Sequence, residues 1–155
     1  MSILTVFFSM KGETITANMT VENLTKGHTA VAAEFINEAV GGDIFELETV
    51  KTYIADHMQM IYEAKDELQQ GIRPELKRYP DSLDGYDTIF LGYPNWWGTL
   101  PIAGCNKEGF QKRARTRASK KPSKCPDVGF LEHFDWSGKR IIPFNTSEGS
   151  GAGRS

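Results

Sequence analysis

Near its start the chain carries Ile3-Leu4-Thr5-Val6-Phe7-Phe8, a nearly continuous apolar run of β-forming residues bounded by Ser9. A strand that alternates apolar and polar residues buries one face of a sheet. A strand that is apolar almost throughout is buried on both, which is typical of a parallel sheet with helices above and below. The rest of the chain reads the same way. Residues 10–28 are polar, with scattered Thr, Asn and Gly and little helical period. From Thr29 the pattern turns helical, with Val31, Ala32, Phe35, Ile36, Ala39 and Val40 read as one face and Gly41-Gly42 as the stop. Asp43 to Glu48, around Phe45 and Leu47, reads as the second strand. A second helix is expected over residues 55–70, with Met58, Ile61, Tyr62, Lys65 and Leu68 on one face and Gly71 as its stop. Asp87 to Leu91 is the third strand, with a loop beginning at Gly92-Tyr93-Pro94, and Lys139 to Phe144 is the fourth. Strand, helix, strand, helix, strand predicts right-handed parallel crossovers: an α/β fold with a doubly wound parallel sheet.

A chain of 155 residues is one domain long and can bury a single core. No apolar stretch approaches the roughly 18 residues of a membrane span, and no basic flank precedes the first apolar run. That run is therefore read as a strand and not as a signal peptide. The cysteines, Cys105 and Cys125, have no histidine cluster around them and read as free thiols, which fits a reducing cytoplasm. His57 is read as helix surface and His133, beside Phe134 and Trp136, as a boundary residue.

The net charge of −2 conceals an asymmetry. Of 18 basic and 20 acidic residues, eight basic and two acidic fall between Gly104 and Asp127, leaving 10 basic and 18 acidic residues elsewhere. Such an acidic body repels nucleic acid and attracts basic partners. Residues 104–127 contain no Leu, Ile, Val or Met, so they are expected to form a flexible basic insert within a single domain spanning residues 1–155.

In a doubly wound sheet, ligands sit beyond the carboxyl ends of the strands, at the switch point. Three loops there hold the unusual residues. The first concerns phosphate, which a helix N-terminus binds through free backbone N–H groups and a partial positive charge. Ser9-Met10-Lys11-Gly12-Glu13-Thr14 follows the first strand but no amphipathic helix follows it. Lys26-Gly27-His28-Thr29 does precede a helix, Gly27 permitting close approach and Thr29 offering a capping hydroxyl. The favoured arrangement joins Ser9, with Met10 beside it, to Gly27, His28 and Thr29, residues 10–26 forming an excursion; the alternative makes Thr29 a simple helix cap. The second loop, Pro94-Asn95-Trp96-Trp97-Gly98-Thr99, carries adjacent tryptophans that point to opposite sides of an extended segment. One of them is available to stack on a planar ring, unless the pair clamps the loop to the body. The third, Thr146-Ser147-Glu148-Gly149-Ser150-Gly151, would let backbone amides approach a ligand, although a glycine string is also an ordinary turn.

Four stretches together resemble bacterial flavodoxin-like flavoproteins: Gly27-His28-Thr29-Ala30-Val31-Ala32-Ala33, Leu91 to Pro101, Phe130 to Lys139, and Ile142 to Ser155. The resemblance covers nearly all of the chain outside residues 104–127. It implies a flavodoxin-like fold binding FMN non-covalently, with Ser9, Gly27, His28 and Thr29 holding the phosphate. Pro94 to Thr99 and Thr146 to Gly151 would flank the isoalloxazine. Family members continue past the Gly-Arg-Ser with a helix, a fifth strand and a last helix, so a sheet without these is expected here, Pro143 suiting an edge strand. The implied function is electron transfer to a redox partner with a basic docking surface, with no catalytic side chain because the flavin carries the chemistry. The rival readings are an FMN-dependent NAD(P)H or quinone reductase of the same fold, and a non-catalytic module whose basic segment binds nucleic acid or an acidic partner.

Overall fold

The computed structural model describes residues 2–15, 20–53, 56–70, 75–95 and 130–147. Readings that fall on Trp96, Trp97, Gly98, Thr99, Glu148, Gly149, Ser150, Gly151 and the basic stretch 104–127 lie outside the described residues. The opening apolar run forms β1 (Ile3–Phe8), buried from Leu4 to Phe8. It is followed by a hairpin of β2 (Gly12–Ile15) and β3 (Val21–Leu24), then α1 (His28–Val40) and β4 (Asp43–Leu47). Next come α2 (His57–Gln70), β5 (Thr88–Pro94), a short α3 (Phe130–His133) and β6 (Arg140–Thr146).

β1 lies between β4 and β5, and the four-stranded sheet runs β4-β1-β5-β6 with every pairing parallel. Being central, β1 has a covered face on either side, which is why its sequence is apolar without alternation. Numbering only these four strands gives the order 2-1-3-4, the first four places of the flavodoxin-like arrangement. The protein has this α/β fold. β4 and β6 are the outer strands of the described sheet, and Pro143 sits exposed on β6. No helix among the described residues is long and apolar enough to cross a membrane.

The two sides of the sheet are packed differently. On one side Leu4, Val6 and Phe8 meet Ile89, Leu91, Tyr93 and Leu47, roofed by Met60 of α2, Phe130 of α3, and the loop residues Tyr53, Leu76 and Leu83. Phe130 is only 1% exposed and meets Phe134 and Trp136 edge-to-face at 5.5 Å. The Trp136 indole N–H donates to the Leu131 carbonyl at 2.8 Å, so the aromatic group is anchored as well as packed. On the other side a smaller cluster joins Phe7 to Ala30 and Ala33 of α1, with Phe144 against it. A side chain at Gly92 would collide with the Phe144 ring, so the missing Cβ makes room for that ring over β5.

Several sequence expectations are corrected. The excursion over residues 10–26 contains an antiparallel hairpin, pairing Gly12 with Leu24 through Ile15 with Val21. β5 does not stop at Leu91 but runs on to Pro94, because β6 also continues, to Thr146, and the two pair to their ends. The buried face of α1 is Thr29, Ala30 and Ala33, while Phe35 is 67% exposed. α2 buries His57, Met60 and Ala64 and exposes Met58 and Tyr62, so His57 lies inside and not on the helix surface. Small residues face the sheet on α1 because the rings of Phe7 and Phe144 already fill the space between helix and strands.

Candidate functional site

β1, β5 and β6 all end on the same edge of the sheet, and α1 begins there. Each loop singled out in the sequence therefore leaves from one place, and residues of all of them touch at the start of α1 or at Thr146.

Gly27 caps α1, with φ −68° and ψ 152°, and no side chain caps the helix locally. Thr29, expected as the capping hydroxyl, is instead the second helical residue. The missing cap comes from across the chain: the Ala30 N–H donates to Ser9 Oγ at 3.1 Å. Ser9 is the first residue beyond β1, and its hydroxyl satisfies one of the amides that a helix start leaves without an intrahelical acceptor. A Cβ on Gly27 would lie far inside van der Waals distance of the Met10 carbonyl and of Ser9 Oγ. Glycine is thus required here for close approach and not for an unusual φ. Ser9 and Met10 thus lie against Gly27, and Ser9 reaches the amide of Ala30 in the first turn of α1.

The other end of the sheet edge joins the same group. Thr29 is 2% exposed, and its Oγ1 lies 2.7 Å from Oγ1 of Thr146, the last residue of β6. The Thr146 carbonyl accepts the Asn95 N–H at 2.8 Å. Thr146 therefore ties the beginning of α1 to the departure points of both sequence loops that follow β5 and β6. Pro94, Asn95 and Thr146 are half-buried, and Ser147 and His28 are exposed. The Thr29–Thr146 contact had no signal in the sequence, being made across 117 residues.

The electrostatic character follows from the donor set. Ser9, His28, Thr29, Asn95, Thr146 and Ser147 contribute hydroxyl, amide and imidazole groups, with no carboxylate. The nearby Lys26 ammonium is paired with Glu34 on α1. The N-terminal amides of α1 and its dipole lend this edge positive character, an arrangement suited to an anion. Among the described residues no group of His, Cys, Asp and Glu is placed to hold a metal ion.

Neither a family profile nor a curated protein matches the chain. Solved structures do. A candidate flavoprotein from Bacteroides eggerthii is 26% identical with TM-score 0.67, the likeness covering 99% of this chain and 76% of that one. Another from Bacteroides uniformis is 27% identical with TM-score 0.62, over 97% of this chain and 75% of that one. A flavoprotein from Lactobacillus acidophilus, solved in complex with FMN, is 20% identical with TM-score 0.52, over 96% and 94% of the two chains. At that identity the last likeness is one of fold alone.

Proposed function

We propose that this protein binds FMN non-covalently at the carboxyl edge of its sheet and serves as an electron-transfer flavoprotein. One observation carries the reading: Ser9 and Thr146, from the ends of β1 and β6, each bond to the first turn of α1, where a doubly wound sheet places its ligand. The fold likeness to flavoproteins, one of them crystallised with FMN, supports it.

The residues present fit the phosphate end of such a ligand. Hydroxyls and helix amides suit a dianion, and the described part of the site holds no carboxylate to repel it. The Ser9 hydroxyl accepts from Ala30 N–H and keeps its own proton for an anionic oxygen. Pro94 and Asn95 at the end of β5, and Ser147 just beyond β6, would stand beside the ring. Bound FMN would supply the electron-carrying chemistry, and no side-chain acid or base is assigned a step. The acidic body disfavours added negative charge at the site, which lowers the potential, and it steers a partner with a basic docking surface.

The test is a fluorescence titration of FMN with purified protein. Binding quenches flavin emission and shifts its absorption; FMN that stays fully fluorescent at excess protein refutes the reading. Thr29→Val should weaken FMN more than riboflavin, since only FMN carries phosphate, by roughly 1.5–3 kcal/mol for a lost charge-assisted bond. Equal losses for both flavins would move the phosphate away from α1. Sustained NAD(P)H oxidation by the loaded protein with a quinone would assign a reductase instead of a carrier.

A further inference from the structure

We infer that Thr146 is a positioning residue for the phosphate subsite, aiming the Thr29 hydroxyl at a bound phosphate, and is not a ring-flanking residue. The inference rests on the FMN reading above and extends it to a residue 117 positions away from the helix start.

A hydroxyl has one proton and two acceptor sites. In the pair Thr29 Oγ1 and Thr146 Oγ1, 2.7 Å apart, either can donate. If Thr29 donates to Thr146, its proton is spent there and cannot reach an anion at the helix start. If Thr146 donates to Thr29, the Thr29 proton is released for the anion while its oxygen stays satisfied, as a group 2% exposed must be. An anion accepting from Thr29 therefore selects the second arrangement, a two-hydroxyl relay in which the outer bond strengthens the inner one.

Thr146 is itself well fixed for this task. It is the last residue of β6, in register with Pro94, and its carbonyl takes the Asn95 N–H at 2.8 Å. That backbone bond does not depend on the side chain. Thr146→Val keeps the β-branched shape and the strand while removing only the hydroxyl.

The experiment measures dissociation constants of FMN and riboflavin for the wild type, Thr146→Val, Thr146→Ser and Thr146→Ala, and for Thr29→Val alone and combined with Thr146→Val. Thr146→Val should cut the preference for FMN over riboflavin by about threefold to tenfold, the size of one neutral hydrogen bond. Thr146→Ser should restore it, and Thr146→Ala should repeat the loss should the valine variant not fold. Because Thr146 acts through Thr29, the double variant should lose no more preference than Thr29→Val alone. A wild-type preference that survives in Thr146→Val or Thr146→Ala, a loss shared by both flavins, or additive losses in the double variant would overturn the assignment while leaving FMN binding intact. A wild type that binds neither flavin would overturn both.

Discussion

Replacing Gly27 with alanine tests the contact that builds the site. The cap residue has φ −68° and ψ 152°, which alanine adopts freely, so backbone strain contributes nothing. The cost is steric. The new methyl would overlap the Met10 carbonyl and Ser9 Oγ, and the first of these is backbone that cannot rotate aside. The segment after β1 and the start of α1 must separate, at about 1–3 kcal/mol for an overpacked contact. Separation also breaks the bond from Ala30 N–H to Ser9 Oγ, about 0.5–1.5 kcal/mol net. Restricting the unfolded chain returns roughly 0.4–1 kcal/mol, leaving a net loss near 2 kcal/mol. For a chain of this size that lowers Tm by about 4–8 °C. Gly85→Ala is the control, since its Cβ meets nothing within 4 Å and its φ is not positive. It should be neutral or slightly stabilising. Thermal and urea unfolding of both variants decides the matter, with FMN affinity as a second readout expected to fall in Gly27→Ala alone. If Gly27→Ala melts at or above Gly85→Ala, the tight approach of Ser9 and Met10 to the helix start is not a feature of the protein in solution.

Other parts of the structure yield equally direct expectations. Thr5 is fully buried on β1 and its hydroxyl has no hydrogen-bond partner among the described residues, so Thr5→Val should raise stability in urea unfolding by about 1 kcal/mol or more. On α1, Phe35→Ser should change stability by less than about 0.5 kcal/mol while Ala33→Leu costs about 1–3 kcal/mol, the reverse of what hydrophobicity along the helix suggests. Asp56 precedes α2 and its carboxylate accepts the Gln59 N–H at 2.8 Å; Asp56→Ala should cost about 0.5–2 kcal/mol by the same measurement. The Tyr86 hydroxyl donates to Asp43 at 2.6 Å, and that bond, with burial and the neighbouring charge adding, holds the phenol above its ordinary value. A raised value means stability present below the unfolded pKa near 10 and lost as pH rises through the folded one. The stability difference between wild type and Tyr86→Phe should therefore be constant at neutral pH and vanish on alkaline titration above about pH 10.

The strands were legible in the sequence for a local reason. Ile3 to Phe8 is apolar on both faces, and only a central parallel strand with helices on either side can bury both. The stops were local too: Gly41, at φ 72°, ends α1 where the pattern breaks. That Ser9 should approach Gly27 and the start of α1 follows from the fold, because the end of the first strand and the start of the first helix share one edge in any such sheet. Helix facing was not. Phe35 and Val40 outweigh Ala30 and Ala33 in hydrophobicity, yet the alanines are buried and the larger residues are exposed. Which stripe faces inward depends on the space left by Phe7 and Phe144, which belong to distant strands. The same holds for His57, whose burial is set by what α2 packs against. The length of β5 depended on β6 extending beside it, and the cap of α1 on a serine 21 residues earlier. Thr29 and Thr146 meet because the order β4-β1-β5-β6 brings the end of the last described strand to the start of the first helix. Periodicity reports what a residue prefers among its near neighbours; that hydroxyl pair exists only once the chain has closed the sheet.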